Sequence, residues 1–73
     1  MERIPLLSLV ALTDDLPGQK LTRGQIGTVV EHLDEGGEQA LLVEFSDDQG
    51  RTYAVVDLKP EQLIVLHRNI EAA

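Results

Sequence analysis

The chain of 73 residues has no cysteine and no tryptophan, and its aromatic side chains are limited to Phe45 and Tyr53. Without cysteine it has neither a disulfide nor a thiolate metal site, and His32 and His67 lie too far apart for a local zinc motif. The scarcity of aromatics removes the stacking platforms that binders of single-stranded nucleic acid and of proline-rich peptides use. The apolar fraction of 42% therefore predicts an aliphatic core.

Basic residues are also few: six lysines and arginines face thirteen aspartates and glutamates, which gives a formal charge of -7. A protein that neutralises phosphates needs a basic patch, so we expect no nucleic-acid partner. An acidic surface attracts a basic protein surface or small cations, over a range that physiological salt limits to about 8 Å. The charge therefore favours a basic protein as partner. The alternative is that the acidic residues simply form a solvated surface.

Long apolar runs are absent too. The longest, residues 6–12, contains Ser8 and is far shorter than the roughly 20 residues that span a bilayer. Glu2 and Pro5 interrupt the pattern of a secretory signal. We expect a cytoplasmic protein without membrane contact. A length of 73 residues fits one domain, residues 1–73, with its core within about 7–66.

Five segments have the alternating or β-branched pattern of strands and are bounded by turn-forming residues. Within the third, Leu41, Val43 and Phe45 share one face, which we predict to be the core. Gly27 in the second indicates a bulge or a close backbone approach. The five predicted strands are residues 6–13, 26–33, 39–46, 51–58 and 63–67.

The connections between these strands identify the fold class. A long loop over residues 14–23 follows the first strand, residues 34–38 and 47–50 have the composition of hairpin turns, and Pro60 begins a helical turn over residues 59–62. This connectivity predicts an all-β protein, a small five-stranded SH3-like barrel with one short 3-10 turn before the last strand. An OB-fold needs a helix between its third and fourth strands, where only a short turn is available. Residues 68–73 lose the pattern and are expected to fray.

The residues that could carry catalysis form no recognisable motif. No serine or threonine has a spacing to His32 or His67 that indicates a triad, and both histidines are expected to be exposed. The segment 24–27 opens a strand rather than a helix, so it is not a phosphate-binding loop. We therefore predict a protein that is not an enzyme, with no catalytic residues and no cofactor.

The paired carboxylates at 14–15, 34–35 and 47–48 also have a structural explanation. Each pair lies beside glycine or proline in a predicted turn, where aspartate is common for backbone reasons. In the segment 47–51, Arg51 occupies a position at which a calcium loop needs an oxygen ligand. No metal site is predicted.

The first loop is a candidate binding site because it is long and carries two leucines. Long loops in compact domains are often binding loops. The alternative is that both leucines fold back over the end of the barrel. The candidate partner-binding residues are Leu16, Pro17, Gly18, Gln19, Lys20 and Leu21.

Four spaced segments, residues 21–31, 43–45, 50–54 and 58–63, together resemble a bacterial family of small domains known only as a domain of unknown function. The resemblance covers about residues 7–66 and implies the barrel fold without an activity. More distantly, residues 26–29, 42–45 and 63–65 are similar to the barrels of electron-transport accessory proteins, such as a small peripheral protein of photosystem I and the variable chain of ferredoxin–thioredoxin reductase. Residues 24–30 also resemble the KOW segment of ribosomal and transcription-elongation proteins.

Charge and the lack of an active-site motif lead to one functional expectation. The chain is expected to be a non-enzymatic protein-binding module whose acidic surface docks on a basic protein, as an immunity or antitoxin-like protein or an accessory subunit does. One alternative is an accessory subunit of an electron-transfer complex, although such subunits generally offer basic residues to acidic ferredoxins. The other is a KOW-like contact with RNA. The oligomeric state does not follow from the sequence.

Overall fold

The computed structural model describes residues 3–67. Within that range the chain forms five strands and two single turns of 3-10 helix, Pro17–Gln19 and Pro60–Gln62, and it contains no α-helix. All paired strands are antiparallel, and they form one sheet in the order β4-β3-β2-β1-β5. The strands are β1 (Leu9–Leu12), β2 (Ile26–His32), β3 (Leu41–Ser46), β4 (Thr52–Leu58) and β5 (Leu63–Leu66).

This strand order confirms the predicted SH3-like barrel. β1 pairs with both β2 and β5, so the last strand returns to lie beside the first, with Val10 opposite Val65. The 3-10 turn Pro60–Gln62 precedes β5, as the sequence predicts. A short turn joins β3 to β4, in place of the helix that an OB-fold would have there.

The core is aliphatic except for one phenylalanine, and each of the five strands contributes to it. Leu41, Val43 and Phe45 are fully buried, which confirms the predicted face of β3. On β4, Leu58 is buried while the other residues of its inward face are half-buried. Within residues 3–67 the buried apolar side chains are Val10, Leu12, Leu21, Val29, Leu41, Val43, Phe45, Leu58 and Leu63.

Gly27 is the point of closest approach between β2 and the core. A Cβ atom added there would lie 2.7 Å from Val43 Cγ1 and 2.9 Å from two carbons of the Phe45 ring. These distances are shorter than any normal carbon–carbon contact, so the position needs a residue without a side chain. The predicted close approach is confirmed, and the irregularity in the pairing of β2 with β3 falls further along, between Val29 and Glu31.

The predicted first strand begins three residues too early. Leu9 is its first residue, because the preceding segment forms a turn in which the Ser8 N–H and hydroxyl both donate to the Pro5 carbonyl, at 3.2 and 2.7 Å. Leu7 within this turn has a φ of 70°, which is incompatible with a strand. A run of β-prone residues is thus interrupted by a local turn. The predicted fraying of residues 68–73 lies outside the described residues.

The hairpin between β2 and β3 closes on two glycines. Glu35 and Glu38 exchange backbone hydrogen bonds of 3.0 and 2.8 Å, and Gly36 and Gly37 between them have φ values of 57° and 82°. Two consecutive positive φ values are those of a type I′ turn, the two-residue hairpin connection whose twist suits flanking strands. The turn therefore holds Glu35 and Glu38 opposite each other at the end of the hairpin.

The hairpin between β3 and β4 is organised by Asp47. Its Oδ1 accepts the backbone N–H groups of Gln49 and Arg51, each at 2.9 Å, and its Oδ2 accepts the Arg51 Nε–H at 3.2 Å. The pKa of the Asp47 carboxyl is lowered below its ordinary value of 3.8, mainly because the carboxylate accepts the hydrogen bond from the Arg51 backbone. Partial desolvation opposes this shift, whereas the hydrogen bonds from the Gln49 backbone and the Arg51 side chain add to it.

A pH dependence of stability follows from this carboxylate. Because the pKa of Asp47 is lower in the folded than in the unfolded protein, its charged form stabilises the fold above about pH 3.8. That contribution is lost as the pH falls through the lowered folded pKa. We expect Asp47→Asn to be less stable than the wild type at neutral pH and equally stable in strong acid, measured by urea denaturation across the range. A difference that stays constant with pH would contradict this assignment.

Candidate acidic groove

Two adjacent cavities lie between the β2–β3 hairpin and the segment that connects β4 to β5. The first, about 380 Å³, is lined by Gly37, Glu38, Gln39, Lys59, Pro60 and Glu61. The second, about 210 Å³, is lined by Leu33, Glu35, Ala40, Asp57, Leu58, Lys59 and Gln62. Lys59 lines both cavities, so we treat them as one surface feature and call it the acidic groove.

The register of β3 with β4 brings the two walls of the groove together. Leu41 pairs with Leu58 and Leu42 with Asp57, so the end of β4 lies beside the start of β3 and the hairpin that precedes it. After Leu58 the chain reverses in the 3-10 turn. There the Lys59 N–H donates to the Gln62 side-chain oxygen at 2.9 Å and the Gln62 N–H donates to the Lys59 carbonyl at 2.9 Å. These two bonds hold the second wall in place.

Four carboxylates stand around the groove: those of Glu35, Glu38, Asp57 and Glu61, all on exposed residues. In residues 3–67 the ion pairs are Arg3 with Asp34, at 2.6 Å, and Arg51 with Asp47, at 3.2 Å. The four groove carboxylates and Lys59 are therefore unpaired within that part of the chain. Since like charges gather here against a single ammonium group, the groove is a site of negative potential.

The floor of the groove is less polar than its rim. Leu58 is buried, and Leu33 and Ala40 are half-buried, beneath the carboxylates of the second cavity. An apolar floor with an acidic rim suits a long basic side chain, whose methylene stem packs on apolar surface while its charged end reaches the rim. Across residues 3–67, no three histidine, aspartate or glutamate side chains are grouped so as to hold a metal ion.

The N-terminal segment packs against the strands that lead into the groove. Arg3 pairs with Asp34, and the Ile4 N–H donates to the side-chain oxygen of Gln39, a groove residue, at 3.2 Å. His32 Nε2 lies 2.6 Å from the Ile4 carbonyl. Because a carbonyl only accepts, Nε2 carries the proton and donates it. The expectation that His32 is exposed is wrong, since Ile4 lies against it and leaves it half-buried, whereas His67 is exposed as expected.

Comparison with known families identifies the family of the chain. Residues 6–65 match the family described as Domain of unknown function (DUF4926). The chain belongs to this family. Searches of curated proteins and of solved structures each returned no significant match. Among residues 3–67 there is no helix of the length and apolarity needed to cross a membrane.

The DUF4926 match includes both walls of the groove. The hairpin wall, Glu35 to Ala40, and the wall formed by Asp57 to Gln62 both fall within residues 6–65. Arg3 and Ile4, which pack against the first wall, precede the matched range. The groove is thus built from the part of the chain that the family defines.

The first loop is the other predicted binding site, and its two end residues, Leu16 and Leu21, pack onto the barrel. Leu16 and Leu21 exchange backbone hydrogen bonds of 2.8 and 3.2 Å; Leu21 is buried in the core and Leu16 packs against it half-buried. Pro17, Gly18, Gln19 and Lys20 are exposed between them. Of the six candidate residues, these four are presented to solvent, and a partner contact through them stays a prediction.

Sequence patterns do not reveal the groove as a site, although they locate the elements that build it. The segments 34–38 and 59–62 are each predicted as a turn, and turn chemistry accounts for their acids. What makes them a site is their proximity, which comes from the register of β3 with β4 rather than from a pattern within either turn. The signal in the sequence is the presence of glutamates in both turns.

Proposed function

We propose that this DUF4926 domain is a cytoplasmic, non-enzymatic protein-binding module that docks on a basic protein partner through the acidic groove. The observation that carries the proposal is the set of four exposed carboxylates, unpaired within residues 3–67, around a groove with an apolar floor. An immunity or antitoxin-like protein and an accessory subunit of a larger assembly would both use such a surface.

The charge of the whole chain supports the same partner. A formal charge of -7 draws a cationic surface towards the domain before contact and raises the association rate at low salt. At contact, lysine or arginine side chains of the partner enter the groove and pair with its carboxylates. A stable interface buries about 800 Å² on each partner, so residues beyond the groove also take part. The groove supplies orientation and specificity.

The histidine closest to the groove makes a structural contact with the N-terminal segment. His32 Nε2 is engaged with the Ile4 carbonyl, where it fixes the N-terminal segment on the hairpin. His32 is thus placed to hold structure together beside a docking surface.

The proposal is tested with two double variants that remove the same charge from different places. Glu38→Gln with Glu61→Gln removes two of the four groove carboxylates, and Glu31→Gln with Asp48→Asn removes two exposed carboxylates elsewhere. With a hexaarginine peptide as probe and calorimetry at about 0.01 M ionic strength, where screening is weak, we expect the groove pair to weaken binding about tenfold, or about 1.4 kcal/mol. The control pair should change it less than about threefold.

The same variants also test binding to the native partner by co-purification. A tagged wild-type domain should co-purify with a basic protein from the cells that make it, in a complex that salt dissociates. The groove pair should lose that protein and the control pair should retain it. Equal weakening by both pairs would show a diffuse polyanion rather than a site, and purification of the wild type alone at low salt would contradict the proposal.

A further inference from the structure

β4 is the longer of the two strands that lie at the ends of the sheet. It has seven residues, Thr52–Leu58, whereas β5 at the other end has four. Edge strands of native proteins commonly carry lysine or proline, which discourage pairing with a further strand. β4 has neither, and its pairing with β3 is regular from Ala54 to Leu58. This strand is therefore suited to accept an extended segment of another protein.

The hydrogen bonding of β3 shows which backbone groups of β4 are unpaired. The Leu33 N–H donates to the Ala40 carbonyl at 2.8 Å, so the backbone groups of Ala40 point towards β2. Because successive residues of a strand point these groups to opposite sides, those at 41, 43 and 45 point towards β4, where their partners are residues 58, 56 and 54. The N–H and C=O groups of Val55 and Asp57 therefore point away from β3, and no residue within 3–67 bonds to them. We call these unpaired groups the β4 edge.

The inward side of β4 is less completely covered than the neighbouring part of the core. Ala54 and Val56 pack against the core, but both are half-buried. Their partners on β3, Phe45 and Val43, have no exposed surface. The core is thus incompletely covered along this strand, and apolar side chains of an added strand would cover it.

The outward side of the same strand is acidic. Val55 lies opposite Glu44 of β3, and Asp57 follows two residues along on the same side. Neither carboxylate has an ion-pair partner within residues 3–67. Asp57 also lines the acidic groove, so β4 leads directly into the groove. These charges attract basic side chains of an added strand, whereas they and the formal charge of -7 repel a second copy of the chain.

We propose that the partner presents an extended segment of alternating basic and apolar residues, which adds to the sheet as a further strand along β4. Its backbone bonds to the β4 edge, its apolar side chains cover Ala54 and Val56, and its basic side chains lie beside Glu44 and Asp57. Strand addition obtains affinity from backbone hydrogen bonds and specificity from alternate side chains. This inference rests on the proposed function, because it specifies how the basic partner of the acidic groove is held.

Two peptides of the same composition test the alternating pattern. One alternates arginine and valine over about eight residues, enough for one strand, and the other has all its arginines first and all its valines last. In calorimetry at low ionic strength, the alternating peptide should bind the wild-type domain about tenfold more tightly. Equal binding of the two peptides overturns strand addition. The proposed function still stands in that case if Glu38→Gln with Glu61→Gln weakens hexaarginine binding.

Glu44→Gln tests the outward carboxylates separately from the groove, because Glu44 lines neither cavity of the groove. It should weaken binding of the alternating peptide about threefold and change hexaarginine binding by less than about 1.5-fold. Glu31→Gln is the matched control, since it removes an exposed carboxylate from β2, and it should change neither by more than about 1.5-fold. Equal effects of the two variants on the alternating peptide contradict its placement beside β4.

Amide hydrogen exchange of the wild-type domain locates the pairing without any substitution. The amides of Val55 and Asp57 should exchange rapidly in the free domain and slow at least about tenfold on saturation with the alternating peptide. The Val56 amide, which points towards β3, should be protected in both states. Unchanged exchange of Val55 and Asp57 in the saturated complex overturns the proposal. So does their protection before peptide is added, whether by the chain itself or by a second copy.

Discussion

Replacement of Gly27 by valine is expected to destabilise the domain by about 3 kcal/mol, in the range of core overpacking. The new Cβ would lie 2.7 Å from Val43 Cγ1 and 2.9 Å from the Phe45 ring. Both neighbours are fully buried, so neither side chain has space to move away. Either β2 shifts outward and its pairing with β3 weakens, or the two core side chains leave their preferred rotamers. Urea denaturation followed by circular dichroism measures the loss.

Gly18 provides the matched control for this substitution. It lies in the first loop without a positive φ, and a Cβ added there has no atom within 4 Å. Gly18→Ala should leave the free energy of unfolding unchanged or raise it by up to about 1 kcal/mol, because alanine restricts the unfolded chain. If Gly27→Val were as stable as Gly18→Ala, the close packing of β2 on Phe45 would be contradicted.

Truncation of Phe45 to alanine is expected to cost about 3–5 kcal/mol, the usual loss for a buried phenylalanine. Phe45 is the one phenylalanine of the chain and has no exposed surface. Its ring fills the space that Gly27 leaves open, so a collapse of neighbouring aliphatic side chains cannot replace it fully. Small domains have total stabilities near the lower end of about 5–15 kcal/mol. The variant should therefore keep no more than about 2 kcal/mol of stability at 25 °C.

Val55→Ala on the exposed side of β4 is the control for Phe45→Ala. Val55 is 50% exposed, and its truncation should change the free energy of unfolding by no more than about 0.5 kcal/mol. The two variants are compared by the dispersion of their amide proton spectra and by urea titration. A Phe45→Ala variant that unfolds cooperatively within about 1 kcal/mol of the wild type would show that Phe45 is not central to the core.

Much of the barrel can be predicted because its signals are local. Alternation in residues 41–45 identifies the buried face of β3, and the glycines at 36, 37 and 50 and the proline at 60 locate the turns. Gly27 is recognisable as a close approach because glycine is otherwise unfavourable within a strand. The connection lengths then restrict the topology to one small fold, and the observed strand order agrees with it.

The errors arise where a local turn or a tertiary contact overrides strand propensity. Residues 6–8 are β-prone, yet Pro5 and Ser8 close a turn there and Leu7 takes a positive φ. His32 follows an exposed pattern, yet the N-terminal segment lies against it. The acidic groove needs Glu38 and Glu61 on the same opening, and that proximity comes from the register of β3 with β4. The last two features depend on residues that are further apart than a window of about ten residues.

The most direct measurement of the central claim is a nuclear magnetic resonance titration of the isotope-labelled wild-type domain with hexaarginine at low ionic strength. We predict that the amide resonances of Glu35, Glu38, Asp57, Lys59 and Glu61 shift first and saturate together, since these residues surround one groove. The acidic turns at 14–15 and 47–48 should respond only at higher peptide concentration. Equal shifts at all acidic segments, or none in the groove, would contradict recognition at this site.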